Sequence, residues 1–231
     1  MAIKTKNNKA PSIVQSPIHR VDWQKIWQPE EKEYEKVVKG QVVKEASLKY
    51  GYSAIFNKDD DLSKLKKLVQ EVVDREFPEG YETDYVRSPF RYGFKEKRKG
   101  DEFGFAKPLD LVKYPYLKDK IVCTFSNTRV PPGIVIPKKD AAGKWIPLQD
   151  EKKLYDGCYC VATVNCYLSN YQGNLNIKFG LKNIMVMKDG EPIVHASGVA
   201  AEHDFPTINE DEWGTDNSDE MNEDDIDMDD M

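Results

Sequence analysis

The chain has 231 residues, of which 34 are Lys or Arg and 40 are Asp or Glu, giving a formal net charge of -6. That length suits one domain of ordinary size with tails. A mean hydropathy of -0.68, with no apolar run near the ~20 residues of a membrane helix, argues against a membrane protein. The opening MAIKTKNNKAPSIV is charged and has no apolar core, so no secretory signal is expected.

The charge is unevenly spread. Residues 204–231 contain no Lys or Arg, and twelve acidic residues fall from position 210 onward: Glu210, Asp211, Glu212, Asp216, Asp219, Glu220, Glu223, Asp224, Asp225, Asp227, Asp229 and Asp230. Setting those twelve aside leaves 28 acidic against 34 basic residues, about +6 for residues 1–209. A block of like charge cannot collapse into a core, so the tail is expected to be disordered. A coil of that length spans roughly 30 Å. A basic body that carries its own polyanion suggests binding of an external polyanion; a purely solubilising tail is the competing explanation.

In chain order, residues 1–18 are polar with Pro11 and Pro17, and Val21–Trp27 is a short apolar patch. A charged stretch, Glu30–Lys39, precedes a first strand region over Gln41–Tyr52. Leu62, Leu65, Leu68, Val69, Val72, Val73 and Phe77 recur at three- and four-residue steps, which predicts an amphipathic helix. The acidic run Asp59–Asp61 sits at its N-terminus, where negative charge meets the positive end of the helix dipole, and Pro78 and Gly80 stop it. Residues 81–118 interleave aromatics with cations and are broken by Gly93, Gly100 and Gly104, which predicts an irregular excursion. From Lys120 the chain turns to strands: Ile121–Phe125, Gly133–Pro137, Lys144–Ile146, Cys158–Leu168, Ile177–Met187 and Ile193–Val199. Alternation in Cys158–Leu168 places Cys158, Cys160, Ala162, Val164, Cys166 and Leu168 on the core face, with Tyr159, Val161, Thr163, Asn165 and Tyr167 outward. By the same rule Ile177, Phe179, Leu181, Met185 and Met187 share one face. The expected fold is mainly β: a small, five-stranded antiparallel barrel as the simplest closure, with one amphipathic helix and a disordered acidic tail. The expected domains are an N-terminal extension (1–36), the binding domain (37–205) and the tail (206–231).

No catalytic constellation assembles. There is no GxxxxGK[ST] loop and no HExxH, and His19, His195 and His203 are scattered. Cys158, Cys160 and Cys166 share an apolar strand face, where thiols serve as small hydrophobes; with Cys123 they do not form a zinc pattern. Reduced thiols, a cytosolic setting, no enzyme activity and no cofactor or metal are expected. What is present suits single-stranded nucleic acid, held by cations along its backbone and by rings on which bases stack. Candidate stacking residues are Tyr92, Phe94, Phe103, Tyr159 and Tyr167. Candidate phosphate contacts are Arg87, Arg91, Lys95, Lys97, Arg98, Lys99 and Lys107. Phe90, Phe125 and Phe179 are expected in the core. Two other functions compete: a protein-interaction factor whose basic body is incidental, and a nuclease with Asp84, Asp101 and Glu102 holding magnesium, against which no carboxylate spacing is recognisable.

The segments LYDGCYCVATVNCY (Leu154–Tyr167), NLNIKFGLKNIMVMKDGEPIV (Asn174–Val194) and ASGVAAEHDF, running in that order into an acidic tail, resemble phage single-stranded DNA-binding proteins. SPFRYG (Ser88–Gly93) is similar to an upstream loop of that family. The resemblance covers most of residues 45–205. It implies that the barrel is of the oligonucleotide-binding (OB) type, a role without catalysis in phage DNA replication, recombination or repair, a tail that engages replisome or recombination proteins, and residence in the cytoplasm of an infected bacterial host. A homo-oligomer on DNA is a further expectation.

Overall fold

The computed structural model describes residues 11–38, 41–94, 102–128, 130–171 and 173–195. Among them the chain forms eleven strands and one α-helix: β1 (Val14–Gln15), β2 (His19–Asp22), β3 (Glu30–Val38), β4 (Gln41–Asn57), α1 (Ser63–Glu76), β5 (Val86–Arg87), β6 (Phe90–Tyr92), β7 (Lys120–Thr128), β8 (Gly133–Lys139), β9 (Trp145–Pro147), β10 (Tyr159–Tyr171) and β11 (Asn174–Lys188). Short 3-10 turns lie at Thr83–Tyr85, Pro115–Leu117 and Glu151–Lys153. Residues 194–231 make a second unit, described only at Val194 and His195.

The predicted helix forms with its stripe inward: Leu65, Leu68, Val69, Val72 and Val73 are buried, and α1 packs on β10 and β1. The acidic run ahead of it works through backbone hydrogen bonds. The Asp61 carboxylate accepts the Ser63 N–H at 2.9 Å, and Asp60 accepts the Asn57 N–H at 2.7 Å. The Ser63 bond holds the Asp61 carboxyl below its ordinary range. Past the last turn, Phe77 stacks on Tyr81 with centroids 4.6 Å apart.

Strand pairing closes a ring. β10 pairs with β2, β2 with β4, β4 with β7, β7 with β11, and β11 returns to β10. β1 and β2, which fall in the stretch expected as an N-terminal extension, pair within this sheet, and position 36/37 lies inside β3. Long β4 forms a hairpin with β3 and then continues into the ring. The expectation of a purely antiparallel sheet is corrected: β11 runs parallel to β5, β7 and β8. The chain between β7 and β11 is long enough to return in either direction, so no tight turn fixes their sense.

Alternation also breaks inside β11. Val164 pairs with Leu181 but Thr163 pairs with Asn183, so Lys182 is an extra residue in β11, a β-bulge. Beyond it the faces exchange. Ile184 and Val186 are buried, and Met185 and Met187, expected inward beside Phe179 and Leu181, are only half-buried. In β10, Val161 and Asn165 keep the outward parity but are covered by neighbouring residues and buried. No strand forms over residues 193–195; the Ile193 N–H instead bonds the Asp156 carbonyl at 2.8 Å. The remainder of that expected strand, 196–199, lies outside the described residues.

The core centres on Phe125. Its ring lies 5.5 Å from His19, 5.9 Å from Tyr52, 6.4 Å from Phe56 and 5.5 Å from Phe179, centroid to centroid. Phe90 packs on Phe179 at 5.7 Å. The three phenylalanines expected inside, Phe90, Phe125 and Phe179, are fully buried. All four cysteines are buried free thiols, and burial pushes the Cys166 thiol up to about 12.

Candidate nucleic-acid interface

Residues directly opposite one another in paired strands point to the same face. The register therefore assembles one outer face from four strands. Lys49, Gly51 and Ser53 of β4 stand opposite Thr128, Ser126 and Thr124 of β7. Ser126 stands beside Gly180 of β11. Gly180, Lys178 and Asn176 stand opposite Asn165, Tyr167 and Ser169 of β10. β5 and β6 add Arg87, beside Asn176, and Arg91, opposite Val122.

On this face lies a cleft of about 740 Å³, lined by Lys49, Arg87, Arg91 and Lys178 as cations, Thr124, Ser126, Thr128, Ser169, Asn170 and Asn176 as hydrogen-bonding groups, and Tyr167 as a ring. Lys32 and Glu33 also contribute; Lys32 is paired with Glu30 at 2.6 Å. The cations are crowded. Burial and then the neighbouring Arg87 lower the Arg91 pKa; partial burial, then Lys49 and Arg87, lower that of Lys178. Among the described residues, no carboxylate is at ion-pair distance from Arg87, Arg91 or Lys178. Such a cluster is relieved by a polyanion.

Two glycines allow close approach on this face. A Cβ on Gly180 would overlap the Asn165 amide oxygen and lie 3.4 Å from Cε1 of Tyr167. The Tyr167 ring therefore leans over Gly180 and stays 39% exposed, enough to offer a face to a ligand. A Cβ on Gly51 would sit 2.6 Å from the Phe125 carbonyl oxygen, so only glycine lets β4 approach β7 there.

A second hollow of about 310 Å³ adjoins the cleft, lined by Trp23, Ser53, Arg91, Lys107, Asp110 and Tyr114 among others. Arg91 lines both spaces. Ser53 in the hollow stands directly opposite Thr124 in the cleft.

The residues singled out from sequence are distributed as follows. Arg87, Arg91 and Tyr167 come together in the cleft, and exposed Lys107 lies in the hollow. Tyr92 and Phe103, expected as exposed platforms, are 9% and 3% exposed and pack in the core. In β6 the three-residue alternation turns Phe90 and Tyr92 inward and Arg91 outward. Phe94 is exposed with the Lys58 ammonium 5.7 Å from its ring, and Tyr159 has Lys188 at 4.7 Å; both line neither space. Lys95, Lys97, Arg98, Lys99, Asp101 and the acidic residues from Glu210 to Asp230 lie outside the described residues. Asp84 is exposed, and Glu102 pairs with Lys66 at 2.9 Å. Lys49, Lys178 and Trp23 were not among the sequence candidates. Alternation in Ile177, Lys178 and Phe179 marks Lys178 as outward, whereas Lys49 and Trp23 join the site only through strand pairing.

A family described as "Enterobacter phage Enc34, ssDNA-binding protein" matches residues 12–219. No curated protein sequence matches the chain. Among solved structures, the single-stranded DNA-binding protein from bacteriophage Enc34 is 12% identical, covering 84% of this chain and 90% of that one, with a TM-score of 0.51. Its C-terminal truncation is 13% identical over 78% and 88% of the two chains, at 0.51. The same phage protein in complex with ssDNA is 14% identical over 79% and 89%, at 0.50. At these identities the likeness is one of fold.

Proposed function

The chain belongs to the Enc34 single-stranded DNA-binding protein family, and we propose that it binds single-stranded DNA, without sequence preference, in the cleft across β4, β7, β11 and β10. The carrying observation is the meeting of Lys49, Arg87, Arg91 and Lys178 with the exposed ring of Tyr167 in one open cleft. The cations neutralise backbone phosphates. The ring gives a base a surface to stack on, and stacking accepts any base because every base has a flat face. The ring of five paired strands agrees with an OB-type barrel, whose sheet face is suited to an extended strand. The protein coats and protects DNA in phage replication, recombination or repair, inside the infected bacterium. Its acidic C-terminal stretch competes with DNA for the cleft and, once displaced, is free to recruit replisome or recombination proteins.

The test is a titration with a homopolymeric oligonucleotide at several salt concentrations. Neutralising four phosphates of a single strand gives a slope of about -3 in log K against log salt. Arg87→Gln should weaken binding and make that slope shallower by about 0.7. A flat salt response, or no binding at low salt, would instead favour an interaction protein whose basic body is incidental.

A further inference from the structure

We infer that the second hollow is a nucleobase subsite, with Trp23 and Tyr114 as its rings and Arg91 as the phosphate contact it shares with the cleft. Because the hollow shares Arg91 with the cleft, its role depends on the strand-binding role proposed there.

Trp23 carries the argument first. Its φ is +48°, a left-handed conformation that bulky residues rarely adopt and that persists only where neighbours over-determine it. Here the neighbours do. The Trp23 N–H donates to Asp22 Oδ1 at 2.9 Å, and the next amide, Gln24 N–H, donates to Asp156 Oδ1 at 2.8 Å. The Asp22 carboxylate is fully buried, and its Oδ2 accepts the Tyr116 hydroxyl at 2.7 Å. One carboxylate thus fixes the Trp23 backbone and anchors the Pro115–Leu117 turn, which Tyr114 immediately precedes. The two rings meet edge to face, 5.0 Å apart at 86°. The pair is held rigidly and is only half-buried.

The surroundings suit a nucleotide rather than an apolar peptide. Exposed Lys107 and half-buried Arg91 offer phosphate contacts, and Asp110 offers an acceptor for an exocyclic amine. The volume, about 310 Å³, lies at the small end of the range for ligand pockets. The shared Arg91 favours the same occupant in both spaces. A strand leaving the cleft past Thr124 crosses to Ser53 on the neighbouring strand and passes Arg91, which belongs to both spaces. The plainer account is that Trp23 and Tyr114 merely cover the small apolar cluster of Ile55, Leu117 and Val122.

The experiment is fluorescence anisotropy with labelled oligothymidylates from about 4 to about 16 nucleotides, the span of site sizes seen for this type of fold. Wild-type affinity should step up at the length that reaches the hollow. Trp23→Gly removes the ring while placing at φ +48° the residue that tolerates it best. It should weaken long strands roughly tenfold or more and leave the shortest strand unchanged. Lys107→Gln, an exposed change, should make the salt slope shallower by about 0.7 for long strands only; it decides the matter if Trp23→Gly fails to fold. Loss that is equal at all lengths, or no loss from either variant, would overturn the subsite while leaving the cleft in place. If the wild type binds no oligonucleotide at any length, the cleft reading falls and takes the subsite with it.

Discussion

His19 is the buried ionisable group with the clearest consequence. It is 1% exposed, surrounded by the rings of Tyr52, Phe56 and Phe125. The Pro17 carbonyl, 3.0 Å from Nδ1, can only accept, so Nδ1 carries the proton and Nε2 accepts from the Tyr52 hydroxyl at 3.0 Å. That neutral tautomer satisfies both nitrogens, and a second proton would place a charge in the core. Burial accordingly lowers the pKa from 6.5 to about 4. The folded value lies below the unfolded one, so the contribution to stability is complete above pH 6.5. As pH falls, the unfolded chain binds a proton that the folded chain refuses, and the contribution drains away until about pH 4. A shift of that size corresponds to about 3 kcal/mol. Urea unfolding at pH 7.5 and pH 4.5 should show wild type losing about 2.5 kcal/mol more than His19→Gln, most of the full shift. Equal losses in the two proteins would mean that carboxylates alone set the acid sensitivity.

Within β11, one residue decides which side chains face the core. Unbroken alternation from Phe179 and Leu181 points Met185 inward; the extra residue Lys182 turns Ile184 inward instead. Ile184→Ala should therefore cost about 2–5 kcal/mol in denaturant unfolding, and Met185→Ala less than half of that. The reverse order would contradict the bulge. The same element shows what was legible from sequence and what was not. Local patterns read well: the helical stripe of α1, the inward Cys158, Cys160 and Cys166, and the outward Tyr167 all follow from spacing along one segment. The bulge, the parallel sense of β11 and the place of β2 in the ring depend on partners distant in the chain, which periodicity does not encode. The site divides in the same way. Arg87, Arg91 and Tyr167 stand out as a cation or ring at an outward position. Lys49 and Trp23 reach the site only because β4 pairs with β7 and because Asp22 and Asp156 fix an unusual turn. Tyr92 and Phe103 both lie in the stretch that interleaves rings with cations, but both are buried, Tyr92 because it alternates with outward Arg91.

Over the whole molecule the governing quantity is the opposition of about +6 on residues 1–209 to twelve carboxylates from position 210 onward. The cleft gathers five of the cations, Lys32 among them, and the acidic stretch belongs to the same chain. If the stretch competes for the cleft as proposed, tethering gives it an effective concentration on the order of mM, independent of how dilute the protein is. Its effect should therefore appear as a constant handicap on DNA affinity rather than as aggregation. Removing residues 210–231 should tighten oligonucleotide binding at low salt. The gain should shrink as salt rises and vanish near 1 M, where the screening length falls to about 3 Å. Replacing the twelve carboxylates by their amides while keeping the length should reproduce the deletion, because the handicap is one of charge and not of bulk. If deletion tightens binding but the amide version does not, the stretch obstructs the cleft sterically. If neither changes the affinity at low salt, the acidic stretch does not compete for the cleft, and its role lies with protein partners alone.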